Sequence, residues 1–202
     1  MKTCYIVGAG DFYGFFSPKE CDLVIAADGG YESLISHGIR CGLVIGDMDS
    51  LEKLPPGVEI IKHPVEKDET DMHLAYLEGK RRGYTHFEIY GGVGGRADHT
   101  FANYCLLAYI KQDGNTAVLH DKESTATVIR NETTRITGKR GNSISIFAFG
   151  GVALGVNIKG LYYELRDGEL SPAFPLGVSN HFTDGTAEIS VKDGTLLIIS
   201  QI

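Results

Sequence analysis

Two aspartates spaced Asp-x-Asp, Asp47 and Asp49, close the apolar run in "LVIGDMDS". Like charges this near one another cost energy unless a cation offsets them. Three further stretches put polar residues directly after an apolar run. Asp28 and Gly29 follow "LVIAA", Asp68 and Asp71 lie in "KDETD" after "IIKHP", and Arg96 and Asp98 lie in "GGVGGRADHT" after "FEIY". Hard carboxylate oxygens suit a divalent cation, and a divalent cation in turn suits phosphates. The run "GGVGGR" holds four glycines in six residues and opens a helical pattern. Backbone N–H groups exposed around Gly94 and Gly95, with the helix dipole behind them, can hold a phosphate.

Taken singly, each feature has a plainer reading. Aspartate is a common helix N-cap, which accounts for Asp71 or Asp98 alone, and Asp-Gly-Gly at Asp28 is a turn signal. Four such sites at the ends of successive apolar runs point instead to one shared metal–phosphate site. The early "GAGDFYG" is spaced Gly-x-Gly-x-x-x-Gly. That is one residue too long for a dinucleotide fingerprint, and it leaves a nucleotide-binding turn of another kind open.

The elements that position these residues change character along the chain. Up to His120, β-type runs are expected at 3–7, 23–27, 43–45, 58–62, 87–90 and 117–120. Helices are expected at 31–37, at 71–82 with Thr70 as N-cap, and at 99–112 with Asp98 as N-cap and Gly114 beyond its end. Apolar strands separated by helices imply an open, mainly parallel α/β sheet covered on both faces. Ligands of such sheets gather at the carboxyl ends of the strands, where the acids fall. After Asp121 the pattern is strands only, with Asp-Gly pairs at Asp167–Gly168, Asp184–Gly185 and Asp193–Gly194 as hairpin signals. The expected fold class is α/β plus all-β. An α/β domain spans 1–122 and an antiparallel β-sandwich domain spans 123–202.

Composition narrows the function classes. A net charge of −7 argues against nucleic acid as a partner. No apolar run approaches the roughly 18 residues of a membrane span, and the N-terminal run breaks at glycines, so it reads as a strand and not a leader. Cys4, Cys21, Cys41 and Cys105 form no Cys-x-x-Cys pair. They read as free thiols in a reducing cytoplasm, not as a zinc site.

The ordered set "AADGG", "GDMDS", "KDETDMHLA" and "GGRADHTFANYCLL", continued by "GLYYEL", "GVSNHF" and "GTLLIIS", resembles the thiamine pyrophosphokinase family over nearly the whole chain. The resemblance implies transfer of diphosphate from ATP to the hydroxyl of thiamine, giving thiamine diphosphate and AMP. It also implies a homodimer whose active site is shared between subunits. By motif, Asp47, Asp49 and Asp71 are the Mg²⁺ acids. Asp28, Gly29, Asp68, Gly94, Gly95 and Arg96 are the nucleotide and phosphate contacts, and Ser179 and Asn180 belong to the thiamine site. Asp71, Arg96 and Asp98 are the catalytic set. Arg96 stabilises charge that develops on the phosphates, and Asp71 or Asp98 serves as general base, with His99 a poorer candidate that reads better as a packed or solvated helix residue. The chain has no Trp, so Tyr162, Tyr163 and Phe182 are the candidates to face the thiamine rings, against the plainer reading of sandwich core. Two rival functions keep the same acids: a Mg²⁺-dependent phosphohydrolase of a nucleotide or thiamine phosphate, and a non-catalytic thiamine phosphate-binding protein. The β half, which a hydrolase need not carry, argues against the first. The full acid set argues against the second.

Overall fold

The computed structural model describes residues 2–14, 16–48, 57–64 and 66–202. The chain folds as two compact units, 1–106 with 114–122, and 107–113 with 123–202.

The first unit holds strands β1 (Cys4–Val7), β2 (Leu23–Ala27), β3 (Leu43–Gly46), β4 (Glu59–Lys62), β5 (His86–Tyr90) and β6 (Thr116–His120). Helix α1 (Gly30–Ser36) follows β2, α2 (Asp71–Arg81) follows β4, and α3 (Ala97–Gln112) follows β5. All paired strands run parallel, in the order β6-β5-β1-β2-β3-β4. The chain builds outward from β1 to β4, then returns to lay β5 on the other side of β1. The order therefore reverses beside β1, and the crevice at the carboxyl ends of β1, β2 and β5 is the place such a sheet offers a ligand.

Helix α2 starts where its cap predicts, with Thr70 Oγ1 accepting from the His73 amide at 3.2 Å. It buries Met72, Leu74, Ala75 and Tyr76, and Tyr76 meets Phe87 of β5 edge-on at 4.9 Å. On the opposite face, Tyr5 stacks on Phe16 at 4.3 Å and Phe16 packs on Tyr90 at 4.7 Å. That face is not wholly apolar. Glu88 stands on β5, with His86 Nε2 donating to its Oε1 at 2.8 Å and His120 Nε2 to its Oε2 at 2.5 Å. The parallel sheet thus carries a polar cluster that the expectation of two apolar covered faces did not include. Helix α3 begins at Ala97, so Asp98 lies in its first turn and is not the N-cap expected above. No described helix is long and apolar enough to cross a membrane.

The second unit is a β-sandwich. One sheet is β12-β9-β14-β7, built from β7 (Ser124–Arg130), β9 (Ser143–Ala148), β12 (Gly177–His181) and β14 (Thr195–Gln201). The other is β11-β10-β13-β8, built from β8 (Thr133–Thr137), β10 (Ala153–Lys159), β11 (Leu165–Leu170) and β13 (Thr186–Ser190). Neighbours within both sheets are antiparallel. Ile144, Ile146 and Ile198 of the first sheet share one core with Val156, Ile158 and Ile189 of the second. None of the three Asp-Gly pairs closes a hairpin. Asp184–Gly185 and Asp193–Gly194 connect strands of different sheets. Asp167, at φ +45, sits inside β11 at an irregular pairing with β10, where an extra residue twists the strand.

Candidate active site

The floor of the crevice is backbone. β1 runs on into Gly8-Ala9-Gly10 and β5 into Gly91–Gly95, and the two segments bond as a continued ladder. The Gly8 amide donates to Tyr90 O at 2.8 Å, Gly10 to Gly91 O at 2.9 Å and Asp11 to Val93 O at 3.0 Å. A Cβ at Gly8 would lie 2.6 Å from Gly91 O, and one at Gly91 (φ +61) would lie 2.3 Å from Gly8 O. Only glycine allows this approach. Two adjoining pockets of about 180 and 310 Å³ open above it, both lined by Ala9, Met72, His99 and Asn103. A further pocket of about 380 Å³, lined by Lys19, Asp22 and Arg40 among others, lies at the amino ends of β2 and β3. Sheets of this kind do not place their ligands at that edge.

The acids fall around the crevice. Asp28 follows β2 at φ +48, its amide donating to Ile45 O at 2.7 Å. Asp28 lines the smaller pocket together with Asp71. Asp28 Oδ1 is buried and has no hydrogen-bond partner among the described residues. Burying an unpaired carboxylate oxygen is costly, and a strained backbone holding it marks a site kept for a partner. Asp47 follows β3 and is half-buried. Asp49 lies outside the described residues. Asp71 is the first residue of α2, and its Oδ1 accepts from Lys67 Nζ at 2.6 Å. Asp68 is exposed, and Gly29, half-buried, follows Asp28 into α1.

Gly94, Gly95, Arg96, Asp98 and His99 are exposed along the start of α3. Arg96 grips Asp98 with two bonds, Nη2 to Oδ2 at 2.7 Å and Nε to Oδ1 at 3.2 Å. These bonds hold the Asp98 carboxyl below its usual range. Gly94, Gly95, Arg96 and His99 line the larger pocket, and Asp71 and His99 the smaller one. His99 is therefore a solvated helix residue that also borders the site. Asn103, one turn further on, is buried and donates to Gly92 O at 2.7 Å. Asn103 and Lys67 were missed by sequence reasoning. For Asn103, the spacing of four residues from His99 within the expected helix is the signal that could have found it.

In the sandwich, Ser179 (φ +58) is exposed and Asn180 is 4% exposed. Asn180 Oδ1 accepts from the Tyr163 amide at 3.0 Å and from the His181 amide at 2.9 Å, while its Nδ2 donates to Tyr163 O at 2.7 Å. Asn180 thereby fixes the backbone beneath two exposed rings. Tyr162 stacks on His181 at 4.7 Å and meets Tyr163 edge-on at 4.9 Å. Phe182 is fully buried in the core. The core reading therefore holds for Phe182 and fails for Tyr162 and Tyr163.

Among the described residues, which leave out Asp49, no three His, Cys, Asp or Glu side chains converge as a complete metal cage. The donors at hand are hard oxygens: the buried Asp28 Oδ1 and the carboxylates of Asp47 and Asp71. That set fits Mg²⁺, which takes one or two protein carboxylates and completes its shell with water and substrate phosphates.

Comparison with known proteins bears on both units. A family model described as the thiamin pyrophosphokinase catalytic domain matches residues 17–119, and one described as the thiamin pyrophosphokinase vitamin B1 binding domain matches residues 129–196. The curated thiamine pyrophosphokinase of Bacillus subtilis (strain 168) is 27% identical over 216 residues, 98% of each chain. The crystal structure of thiamine pyrophosphokinase from Bacillus subtilis is similar at a TM-score of 0.89 and 24% identity, covering 100% of this chain and 99% of that one. Thiamin pyrophosphokinase from Candida albicans is similar at a TM-score of 0.78 and 14% identity, covering 99% of this chain and 89% of that one. At such identities these two structures speak for the fold.

Proposed function

Because the chain belongs to the thiamine pyrophosphokinase family, it is an enzyme that makes thiamine diphosphate from thiamine and ATP, and we propose that the crevice beside β1 holds the polyphosphate of ATP. The observation that carries this reading is Asp28 Oδ1, a buried carboxylate oxygen without a donor among the described residues, on a residue that lines a pocket with Gly8 and Asp71. Asp47, Asp49 and Asp71, the acids expected from the motifs, are the residues that would hold Mg²⁺, and Asp28 is added to them for its unpartnered buried oxygen. When bound, the ion offsets the charge of the polyphosphate and of these acids.

The chain's own groups do the rest. Backbone amides around Gly94 and Gly95 and the start of α3 face the phosphates. Arg96 brings a planar fork of donors to oxygens that gain charge as the bond to AMP breaks. Asp68 and Gly29 line the nucleotide path. The thiamine hydroxyl oxygen bonds to the β-phosphorus, the bond from that phosphorus to the bridging α–β oxygen breaks, and AMP leaves with the bridging oxygen. The hydroxyl proton goes to a carboxylate at the start of α2 or α3, Asp71 or Asp98. Such catalysis is mainly positioning and charge stabilisation.

In the sandwich, Ser179 and the rings of Tyr162 and Tyr163 take the thiamine, with Asn180 acting through Tyr163. The working enzyme is a homodimer, in which the crevice of one subunit meets the sandwich of the other. The four free cysteines suit a reducing cytoplasm.

Incubation with ATP, Mg²⁺ and thiamine, followed by phosphorus NMR, tests the chemistry. AMP with thiamine diphosphate is expected. ADP with thiamine monophosphate, or free phosphate alone, overturns it. Mixing Asp49→Asn with Ser179→Ala/Asn180→Ala tests the shared site. Each is nearly inactive alone, and each heterodimer should regain one unimpaired site. No recovery after verified subunit exchange overturns the shared arrangement.

A further inference from the structure

Lys67 has no part in the reading above, yet it occupies an informative place. Its side chain is only 12% exposed, and its ammonium lies 2.6 Å from Asp71 Oδ1. The pair is four residues apart but is not a bridge along a helix surface, because α2 begins at Asp71. The loop before the helix folds back to deliver the ammonium. A helix N-terminus repels cations through its dipole, so the carboxylate sets this position against the preference of the helix.

The charge around the pocket is also incomplete. One ammonium serves Asp71, while Asp28, lining the same pocket, keeps a buried oxygen without a donor among the described residues. A lysine is a compact point charge on a flexible stem, able to change partners without moving backbone. Once a divalent cation and a polyphosphate enter, Asp71 has a stronger cation and Lys67 has a stronger anion.

Resting on the proposed ATP site, we propose that Lys67 is an exchanging counter-ion: it pairs with Asp71 in the nucleotide-free enzyme and transfers to a polyphosphate oxygen when nucleotide and metal bind. It therefore holds the empty crevice together, competes there with free metal, and contributes to nucleotide affinity.

The test uses the full-length chain and two binding measurements that need no turnover. Mn²⁺ binding without nucleotide is followed by electron paramagnetic resonance. Binding of α,β-methylene-ATP at saturating Mg²⁺ is followed by calorimetry. Lys67→Met removes the competitor and should bind Mn²⁺ about fivefold tighter. It also removes a charge-assisted bond and should bind the analogue about tenfold weaker. Lys67→Arg should bring analogue affinity back to within about threefold of wild type. Shifts in opposite directions are what a merely structural lysine would not produce. If both affinities weaken, if neither moves, or if only one moves, the exchange is overturned. Lys67→Gln, checked for fold by circular dichroism, replaces Lys67→Met if the latter misfolds. Wild-type protein that fails to bind the analogue overturns the ATP site itself. Wild-type binding without opposite shifts in the variants overturns the exchange alone.

Discussion

Asp28 and Glu88 are half-buried carboxylates of one parallel sheet, and the protein treats them in opposite ways. Glu88 stands in the middle of β5 on ordinary extended backbone. Each of its oxygens accepts a bond from a histidine, His86 at 2.8 Å and His120 at 2.5 Å, and His120 stacks on Tyr90 at 4.3 Å. Asp28 stands at the end of β2 with φ at +48, and its Oδ1 is buried without a partner among the described residues. The pairing of Glu88 is complete within the fold. The strain and the missing donor at Asp28 are reasons to look for something the folded chain does not itself supply. A buried acid is thus read as structural or functional from how far its neighbours satisfy it.

The largest effect expected from this contrast is at Asp28. Asparagine tolerates the left-handed backbone there, so Asp28→Asn should fold. It removes a buried charge and should leave the melting temperature unchanged or higher. It should lower kcat/KM about a hundredfold, because the lost charge acts on the polyphosphate. Calorimetry and an AMP-release assay measure the two sides. A lower melting temperature with unimpaired kcat/KM would place Asp28 with Glu88, as structure.

A smaller effect is expected at Asn180, whose side chain is as fully used as that of Glu88. Asn180→Ala leaves the Tyr163 amide and carbonyl without their partners, costing about 2 kcal/mol of stability. The rings it supports should shift, so KM for thiamine should rise about tenfold while KM for ATP holds. Equal rises in both would mean that the damage spreads beyond the sandwich.

Local signals carried the fold well. Strands β1 to β6 begin and end within one residue of expectation, because short apolar runs bounded by turns are local facts. Helix α2 was legible from Thr70 and the apolar positions after it. The positions of Asp28 and Asp47 were legible because they follow β2 and β3, and that of Asp71 because it follows the Thr70 cap. The rest depended on distance. Asp-Gly at 184–185 and 193–194 correctly signals that the chain turns, but the choice of sheet for the next strand lies in packing. In "GLYYELRDGEL", no local rule separates the exposed Tyr162 and Tyr163 from a core strand, or the irregular Asp167 from a hairpin. Phe182 was unreadable for the same reason. The His120–Glu88 bond spans 32 residues, so no window of sequence contains it. Lys67 was visible in "KDETD", but a lysine near an aspartate is too common to single out before the helix start at Asp71 is known.

The smallest effect is the pH dependence of Glu88. Burial pushes its carboxyl up, and the hydrogen bonds from His120 and His86 more than offset that, so the group ends below the ordinary glutamate range. A carboxyl that is more acidic folded than unfolded binds fewer protons in the native state. Its contribution is therefore fully present above the unfolded value of about 4.3, and it is lost as pH falls through the folded value. The neighbours of the carboxylate are His86 on its own strand, His120 on β6, and Tyr5 directly opposite on β1. Glu88→Gln keeps the shape and removes the charge. At pH 7 it should be less stable than wild type by about 1 kcal/mol, a charged hydrogen bond discounted for partial exposure. Denaturant unfolding from pH 7 to pH 3 should show the two stabilities converging below about pH 4, with kcat/KM at neutral pH the same within about twofold. Parallel curves across that range would show that the histidine bonds stabilise the neutral acid as well as the ion. A large loss of activity at unchanged stability would instead move Glu88 to the functional side of the comparison with Asp28.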